Sequence, residues 1–321
     1  MSPVVTGVGL ALPGADSLDA LVTGPPDDAP PVDPAAIMGR KGLRYRDRAT
    51  QLGYCAAKAA LTDAGLLVDE LLVPAGDVAV IVSSNLGNLA TVCKVVSTIV
   101  EEDGTKGLSP MDTPNASSNV PASAIALRFG LRGPNMMLCS GPTSGVDALR
   151  WATVLLTGRR ARHVLVVGVE PDDETTRRML GAPRVLDGAA AVVVEPAAVA
   201  AERGAPQRLR LGGFARGGSV RDCVDRLASE PTAPGVPAAF YVPETDRSLP
   251  ADLFPGVRRR DLAERWGPAS GALGVLQCVT AVADLSDAAD GAPVYAVAGG
   301  DEDDASAGMV LHAPGGPAWN T

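Results

Sequence analysis

Apolar residues along this chain follow two periodicities in turn. Continuous apolar, β-branched runs predict buried strands, whereas apolar residues at helical spacing predict helices. Predicted strands lie at residues 3–14, 78–85, 163–170, 189–196, 209–218, 238–244, 294–300 and 307–313, and predicted helices at 46–64, 89–102, 118–130, 146–158, 199–205 and 271–285. Strands that alternate with helices predict an α/β protein with a mostly parallel sheet covered on both faces.

Glycines mark the ends of three predicted helices, at Gly65, Gly130 and Gly158. Glycine is favoured there because it accepts the left-handed conformation that closes a helix. Residues 15–42 are rich in Pro and Asp and predict a surface excursion. The elements form two unequal blocks, so we expect an N-terminal half over 1–198 and a shorter C-terminal half over 199–321.

The composition is that of a soluble globular protein, with 321 residues that are 46% hydrophobic and 20% charged. The net charge is −9, and the densest basic run that we identify is Arg258-Arg259-Arg260, which argues against a nucleic-acid partner. The first apolar run lacks a basic leader and is interrupted by Pro3, and no apolar run is long enough to span a bilayer. We therefore expect a cytoplasmic protein without a membrane partner.

The cysteines and histidines give no sign of a metal or cofactor site. The five cysteines are scattered, without the spacing of a metal motif, and are expected to be small buried thiols: Cys55, Cys93, Cys139, Cys223 and Cys278. The chain has two histidines, His163 and His312, and both lie at the edges of predicted strands. We predict that they are surface or strand-end residues, and we expect neither a metal nor a cofactor.

One stretch looks like the approach to an active site. In GPNMMLCSGPTSGVDAL, residues 133–149, a run of small residues joins an apolar strand to a predicted helix. This pattern is typical of a strand-to-helix elbow that presents a nucleophile. The cysteine of the stretch, Cys139, follows Met136, Met137 and Leu138 directly, so we place it on the buried strand, before the elbow.

Five segments occur in a familiar order: PVVTGVGLALPG, a helix ending in DAGL, VAVIVSSNLGNL, NASSNVPASAIALRFGLRGPN and VLVVGVE. This order resembles the β-ketoacyl synthases of the thiolase fold, strongly over residues 3–205 and more weakly afterwards. The resemblance implies duplicated βαβαβ halves stacked in five layers, α-β-α-β-α, with the second half shortened. It also implies a dimer with a long shared interface.

The resemblance places other residues where the family carries its catalytic groups. Pro142 stands at the nucleophilic cysteine, and proline has neither a nucleophile nor a backbone N–H for an oxyanion hole. Thr245 stands at the histidine of a motif resembling YVEAHGT. Arg265 stands at the histidine of a motif resembling KxxxxGHxxGAAGA, with Arg260 at its lysine. Because a buried unpaired guanidinium is costly, we expect Arg265 to bind Glu244, Glu264 or a backbone carbonyl.

Loss of all three catalytic positions resembles the chain length factor, the non-catalytic subunit of type II polyketide synthases, and more specifically the factors of reducing, polyene-type systems. The resemblance implies a heterodimer with an active ketosynthase, an acyl carrier protein that acts through the complex, and a growing acyl chain in a tunnel at the interface. The residues expected to line that tunnel or interface are Leu86, Leu89, Val92, Val95, Val96, Met111, Asn119, Val120 and Ser123.

Three other interpretations stay open. Cys139 is a candidate for a displaced nucleophile in an atypical acyltransferase, although its segment contains no histidine. A thioester decarboxylase on the same fold would keep a histidine or glutamine at the reactive corner. A binding module would hold an acyl or pantetheine group unreacted, in a pocket shaped by Pro142 and Arg265.

Overall fold

The computed structural model describes residues 2–26, 28–229, 236–244, 249, 252–286 and 291–315. The strands are β1 (Pro3–Ala11), β2 (Val78–Ser83), β3 (Asn135–Leu138), β4 (His163–Glu170), β5 (Gly188–Pro196), β6 (Leu209–Gly217), β7 (Ala239–Tyr241), β8 (Arg258–Arg260), β9 (Val294–Gly300) and β10 (Ala305–His312). The helices are α1 (Leu18–Thr23), α2 (Pro34–Met38), α3 (Arg48–Asp63), α4 (Leu89–Glu101), α5 (Val120–Phe129), α6 (Ser144–Thr157), α7 (Glu174–Leu180), α8 (Ala197–Glu202), α9 (Val220–Ser229), α10 (Leu262–Trp266) and α11 (Leu273–Ser286).

The strands form one sheet in the order β3-β2-β4-β5-β1-β6-β10-β9-β7-β8. From the centre of the sheet outward, the first half runs β1, β5, β4, β2, β3, and the second half runs β6, β10, β9, β7, β8. Each half therefore has its five strands in the same order. The duplication expected from the resemblance is therefore visible in the topology. Two residue pairs, Val4 with Arg210 and Val5 with Leu209, join the halves antiparallel through β1 and β6.

The expectation of a mostly parallel sheet is wrong. Only the pairs β2–β3, β2–β4, β7–β8 and β7–β9 are parallel, whereas the pairs around β1, β5, β6 and β10 are antiparallel. The error has a physical cause: a strand buried on both faces is continuously apolar whichever way its neighbours run.

The five-layer arrangement predicted from the resemblance is confirmed. Helices α3 and α5 cover the outer face of the first half-sheet, and α9 covers the outer face of the second. Helices α6 and α11 lie between the two half-sheets and contact strands of both. The second half is shorter, and its elements β8, α9 and α10 are not among the predicted ones. Strand β8 and helix α10 span only three and five residues, whereas α9 carries apolar residues at helical spacing, Val220, Cys223, Val224 and Leu227, which was an available signal.

Two glycines explain how the middle layer packs. A Cβ on Gly145 of α6 would lie 2.6 Å from the Gly274 nitrogen, and a Cβ on Gly274 of α11 would lie 2.3 Å from the Val146 nitrogen. Only glycine permits so close an approach of two backbones. The small residues that suggested an active site thus also serve helix packing.

Candidate functional site

The strand-to-helix elbow predicted at residues 133–149 is present. Strand β3 ends at Leu138, a single 3-10 turn spans Gly141–Thr143, and α6 begins at Ser144. Gly141 has a φ of 72°, in the left-handed region that favours glycine. Pro142 lies in the middle of the turn, so the elbow exists but presents a pyrrolidine ring.

Asp147, one turn into α6, holds the elbow from below. Its Oδ2 accepts hydrogen bonds from the hydroxyls of Ser140 at 2.9 Å and Thr143 at 2.8 Å. Arg216 of β6 donates to the same carboxylate at 3.1 Å, which ties the elbow to the second half-sheet. The polar groups nearest the turn are therefore engaged with each other.

A second turn, Ser270–Ala272 before α11, packs against the elbow. Glu244 accepts hydrogen bonds from the backbone N–H groups of Ala269 and Ser270. Burial, with a smaller contribution from the charges of Asp261 and Asp303, raises the pKa of Glu244 to about 7 even though these two bonds lower it. Ser270 has a φ of 42°, unusual for a residue with a side chain, and its hydroxyl accepts from Asn85 at 2.9 Å.

Glu170, at the end of β4, is a fully buried carboxylate that sequence analysis did not single out. Its Oε1 accepts from the backbone of Asn85 at 2.7 Å and of Gly271 at 3.0 Å. Its Oε2 accepts from the Ser84 hydroxyl at 2.9 Å and the Leu86 backbone at 3.0 Å. Burial raises the pKa of Glu170 to about 7 against these bonds. The signal for Glu170 in the sequence is that it is a single acidic residue at the end of the apolar run VLVVGVE.

Comparison with known proteins identifies the family to which the segment containing this elbow belongs. Residues 24–182 match the family model of the β-ketoacyl synthase N-terminal domain. This segment belongs to the β-ketoacyl synthase family, and the whole chain has the thiolase-type fold of ketosynthases. A 138-residue segment is 25% identical to 3-oxoacyl-[acyl-carrier-protein] synthase 2 of Coxiella burnetii and 30% identical to that of Vibrio harveyi. The segment covers 43% of this chain but only 33% and 32% of those relatives.

Two solved structures are similar over nearly the whole chain. One is the ishigamide ketosynthase/chain length factor, with a TM-score of 0.79 and 22% identity over 98% of this chain and 100% of that one. The other is AntDE:AntF, a type II PKS acyl-carrier protein in complex with its ketosynthase, with a TM-score of 0.78 and 16% identity over 97% and 99%. At these identities the likeness establishes the fold.

Within the ketosynthase family, the structure corrects the position assigned to Arg265. This side chain is exposed at the end of α10 and donates to the Thr23 carbonyl at 3.0 Å, so the expected carbonyl partner is confirmed. Among the described residues Arg265 forms no ion pair with either expected carboxylate, Glu244 or Glu264, and Glu244 instead accepts from the backbone of Ala269 and Ser270. The segment that packs against the elbow is Ser270–Ala272.

A different alignment of the GHxxGAAGA motif fits this geometry. Its three glycines fall on Gly267, Gly271 and Gly274, which puts Pro268 at the histidine. The structure gives a reason for two of them: a Cβ on Gly271 would lie 2.9 Å from the Asn85 nitrogen, and Gly274 contacts α6. The third ketosynthase position, Thr245, lies outside the described residues.

Both histidines lie far from the elbow. His163 begins β4, at the end of the parallel strands opposite Cys139, and its Nδ1 is 3.2 Å from Glu195 Oε2. His312 ends β10, seven residues beyond Ala305, which lies close to Gly299 beside the elbow. Seven residues of strand span about 23 Å. The strand-end prediction holds, but both side chains are buried, not on the surface.

The placement of Cys139 on the buried strand is wrong, and so is the expectation that all the thiols are buried. Cys139 follows β3 and is exposed, as is Cys93 on α4, whereas Cys55, Cys223 and Cys278 are buried. Neighbouring atoms that desolvate its thiolate, followed by the charge of Glu170, raise the pKa of Cys139 against a Ser118 hydrogen bond. A raised pKa is the reverse of what activates a cysteine nucleophile.

The candidate tunnel residues fall into two groups. Leu86 is buried beside Glu170. The rest lie on or around α4 and the start of α5 and are half-buried or exposed: Leu89, Val92, Val95, Val96, Met111, Asn119, Val120 and Ser123. Within the described residues, no helix is long and apolar enough to cross a bilayer, and no group of three metal-ligating side chains occurs.

Proposed function

We propose that this chain is a non-catalytic chain length factor that pairs with an active ketosynthase and lines the acyl tunnel of the complex, in a polyketide system of the polyene type. The observation that carries the proposal is the elbow with Pro142 at the nucleophile position. Pro268 in the aligned motif and two histidines remote from the elbow support it. The likeness to a ketosynthase/chain length factor agrees with it.

The proposed surface for the partner consists of the edge strand β3 and the helices around it. Strand β3 pairs with β2 on one side only. On its flanks, Leu127 of α5 is 79% exposed and Trp151 of α6 is 42% exposed, and no residue of α4 is buried. Large apolar surfaces around an uncharged open edge are typical of a subunit interface.

A basic surface supports the proposed carrier-protein partner. Sequence analysis overlooked the stretch from Arg40 to Arg46. In the structure Arg40, Lys41 and Arg44 are exposed, and none of them forms an ion pair with any residue that the structure describes. Arg128 donates to the Lys41 carbonyl and adds its charge nearby. We propose that an acidic carrier protein meets the complex at this surface, by electrostatic attraction.

The test is reconstitution with an intact ketosynthase encoded beside this gene and its carrier protein. We expect a stable heterodimer with condensing activity, and no activity from this chain alone. Met111, 50% exposed near α4, is the wall residue to shorten. Met111→Ala should shift the product mass distribution to longer chains while turnover continues. A chain that stays monomeric beside the ketosynthase would overturn the heterodimer and leave the acyl-binding module as the better explanation.

A further inference from the structure

Helix α4 carries four of the nine proposed wall residues, yet packing alone does little to hold it. None of its 13 residues is buried. Its main contacts are with the 3-10 turn Thr113–Ala116 and with α7. Val96 and Val100 are 54% and 74% exposed. Interactions other than hydrophobic packing must therefore determine the position of this helix.

The loop that leads into α4 is anchored to the buried carboxylate of Glu170. Three of the four groups that donate to Glu170 belong to consecutive residues, Ser84, Asn85 and Leu86. The Ser84 hydroxyl also accepts from the Gly87 backbone at 3.0 Å. Since α4 begins at Leu89, the anchor ends two residues before its first turn.

The side chain of Asn85 connects this loop to the elbow and to the second turn, Ser270–Ala272. Its Nδ2 donates to the Gly141 carbonyl at 2.8 Å and to the Ser270 hydroxyl at 2.9 Å. Its Oδ1 accepts from the Ser144 hydroxyl at 3.0 Å. Every polar atom of the amide is thus engaged with the elbow or the second turn, which are themselves held by α6 and α11.

We propose that Glu170 and Asn85 are positioning residues, which fix α4 relative to the elbow and thereby set the location of the tunnel wall. The connection to chain length rests on the proposed function, whereas the hold on α4 is a property of this chain. Substitutions of Glu170 or Asn85 that alter these hydrogen bonds should therefore change the length of the product, although neither side chain lines the tunnel.

The informative variants are Glu170→Gln and Asn85→Ala. The first replaces one acceptor oxygen by an NH2 group that faces N–H donors. The second removes the amide and leaves Glu170 with its donors, so it tests the same point if Glu170→Gln fails to fold. Glu195→Gln is the matched control, because Glu195 is an equally buried carboxylate whose partners Thr6, Arg203 and His163 do not contact α4.

Two measurements separate this inference from the proposed function. Hydrogen exchange on the isolated chain should show amides of residues 86–92 exchanging about tenfold faster in both variants but not in the control. Product masses from the reconstituted pair should show a broader chain-length distribution in both variants, with the control unchanged.

Unchanged exchange in residues 86–92 would overturn the anchor. Faster exchange with an unaltered product, when Met111→Ala does alter it, would overturn the claim that the anchor sets the wall. Faster exchange when no variant, Met111→Ala included, affects chain length would support the anchor and overturn the tunnel-wall function instead.

Discussion

At the scale of residues, buried carboxylates of this chain differ in what surrounds them. Among the residues that the structure describes, Glu170 and Glu244 accept hydrogen bonds from neutral N–H and O–H groups only, which do not offset burial, and the pKa of each is about 7. Burial would also raise the pKa of Glu195, but hydrogen bonds from Arg203, His163 and Thr6 outweigh it and hold the pKa at about 2. Charged donors offset the loss of solvation where neutral ones do not.

This difference predicts the pH dependence of stability. A carboxyl group whose pKa rises on folding binds more protons in the folded state, so the free energy of unfolding falls as pH rises from about 4.5 to about 7. From pH 5.5 to 7.5, Glu170 and Glu244 should each lower the free energy of unfolding by on the order of 1–3 kcal/mol, whereas His312, whose pKa burial lowers to about 4, raises it by less than the two glutamates together lower it. We therefore expect denaturant titrations to give lower stability at pH 7.5 than at pH 5.5.

The control for this prediction is Glu170→Gln, which should make the profile about half as steep or less over the same range, because Glu244 still contributes its share. Glu195, with its pKa at about 2, contributes stability above pH 4.5 that is lost as pH falls toward 2, so Glu195→Gln should leave the slope between pH 5.5 and 7.5 intact. Equal slopes in wild type and Glu170→Gln would refute the assignment.

A cysteine at the elbow alone should not recover catalysis. We expect Pro142→Cys to react with thiol reagents but to show no condensation or malonyl decarboxylation, because His163 and His312 lie at distant strand ends. A general base must reach its proton within hydrogen-bond distance. The measurement is turnover of malonyl carrier protein, with Cys139→Ala in the same background. Decarboxylation that disappears with Cys139 would promote the displaced-nucleophile interpretation.

At the scale of elements, the two edges of the sheet are built differently. Strand β8 at one edge consists of Arg258, Arg259 and Arg260, and charged side chains discourage pairing with another chain. Strand β3 at the other edge is Asn135-Met136-Met137-Leu138, which carries no charge, and the helices α5 and α6 that contact it expose Leu127 and Trp151. The sequence protects one edge and leaves the other open.

We therefore expect Leu127→Glu and Trp151→Glu each to weaken the heterodimer at least about tenfold, because each places a charge in an apolar interface. Val236→Glu is the control, since Val236 is 67% exposed just before β7, at the opposite end of the sheet from β3. Affinity is measured by sizing and titration with the ketosynthase, and circular dichroism checks the fold. If all three variants bind equally, β3 is not the interface.

At the scale of the whole molecule, the layers divide the thiols into two classes. Cys55, Cys223 and Cys278 lie within the layers, and burial raises their pKa values to about 11, 12 and 12. Cys93 and Cys139 lie on the surface around α4 and β3. The buried thiols thus serve as internal controls for the exposed ones.

Thiol labelling should report assembly. In the isolated chain, we expect maleimide to modify Cys93 and Cys139 and to spare the three buried cysteines, with sites assigned by peptide mass spectrometry. Heterodimer formation should slow labelling of both exposed cysteines several-fold if α4 and β3 enter the interface. Undiminished labelling of both in a complex that sizing shows to be intact would place the partner on another face.

The sequence by itself determined the order of most elements and the presence of Pro142 in the elbow, where the resemblance expects a nucleophile. Strands such as VAVIVSSN and helices closed by glycine are local patterns, and the elbow is recognised from adjacent residues. The sequence did not reveal strand direction, because burial on both faces removes the alternation that distinguishes neighbours. Matching the motif by sequence alone also placed Arg265 at the histidine. The contacts that require glycine at positions 271 and 274, which favour a different alignment, are visible only in the structure.

The tertiary structure alone decided which polar residues act together. Glu170, Asn85, Ser270 and Gly141 are spread over nearly 190 residues, and no local pattern links them. They meet because the parallel strands β2, β3 and β4 end at the same edge of the sheet, and α11 brings the second turn to that edge. Hydrogen-bonded networks of this kind depend on long-range chain crossings, which hydrophobic periodicity does not encode.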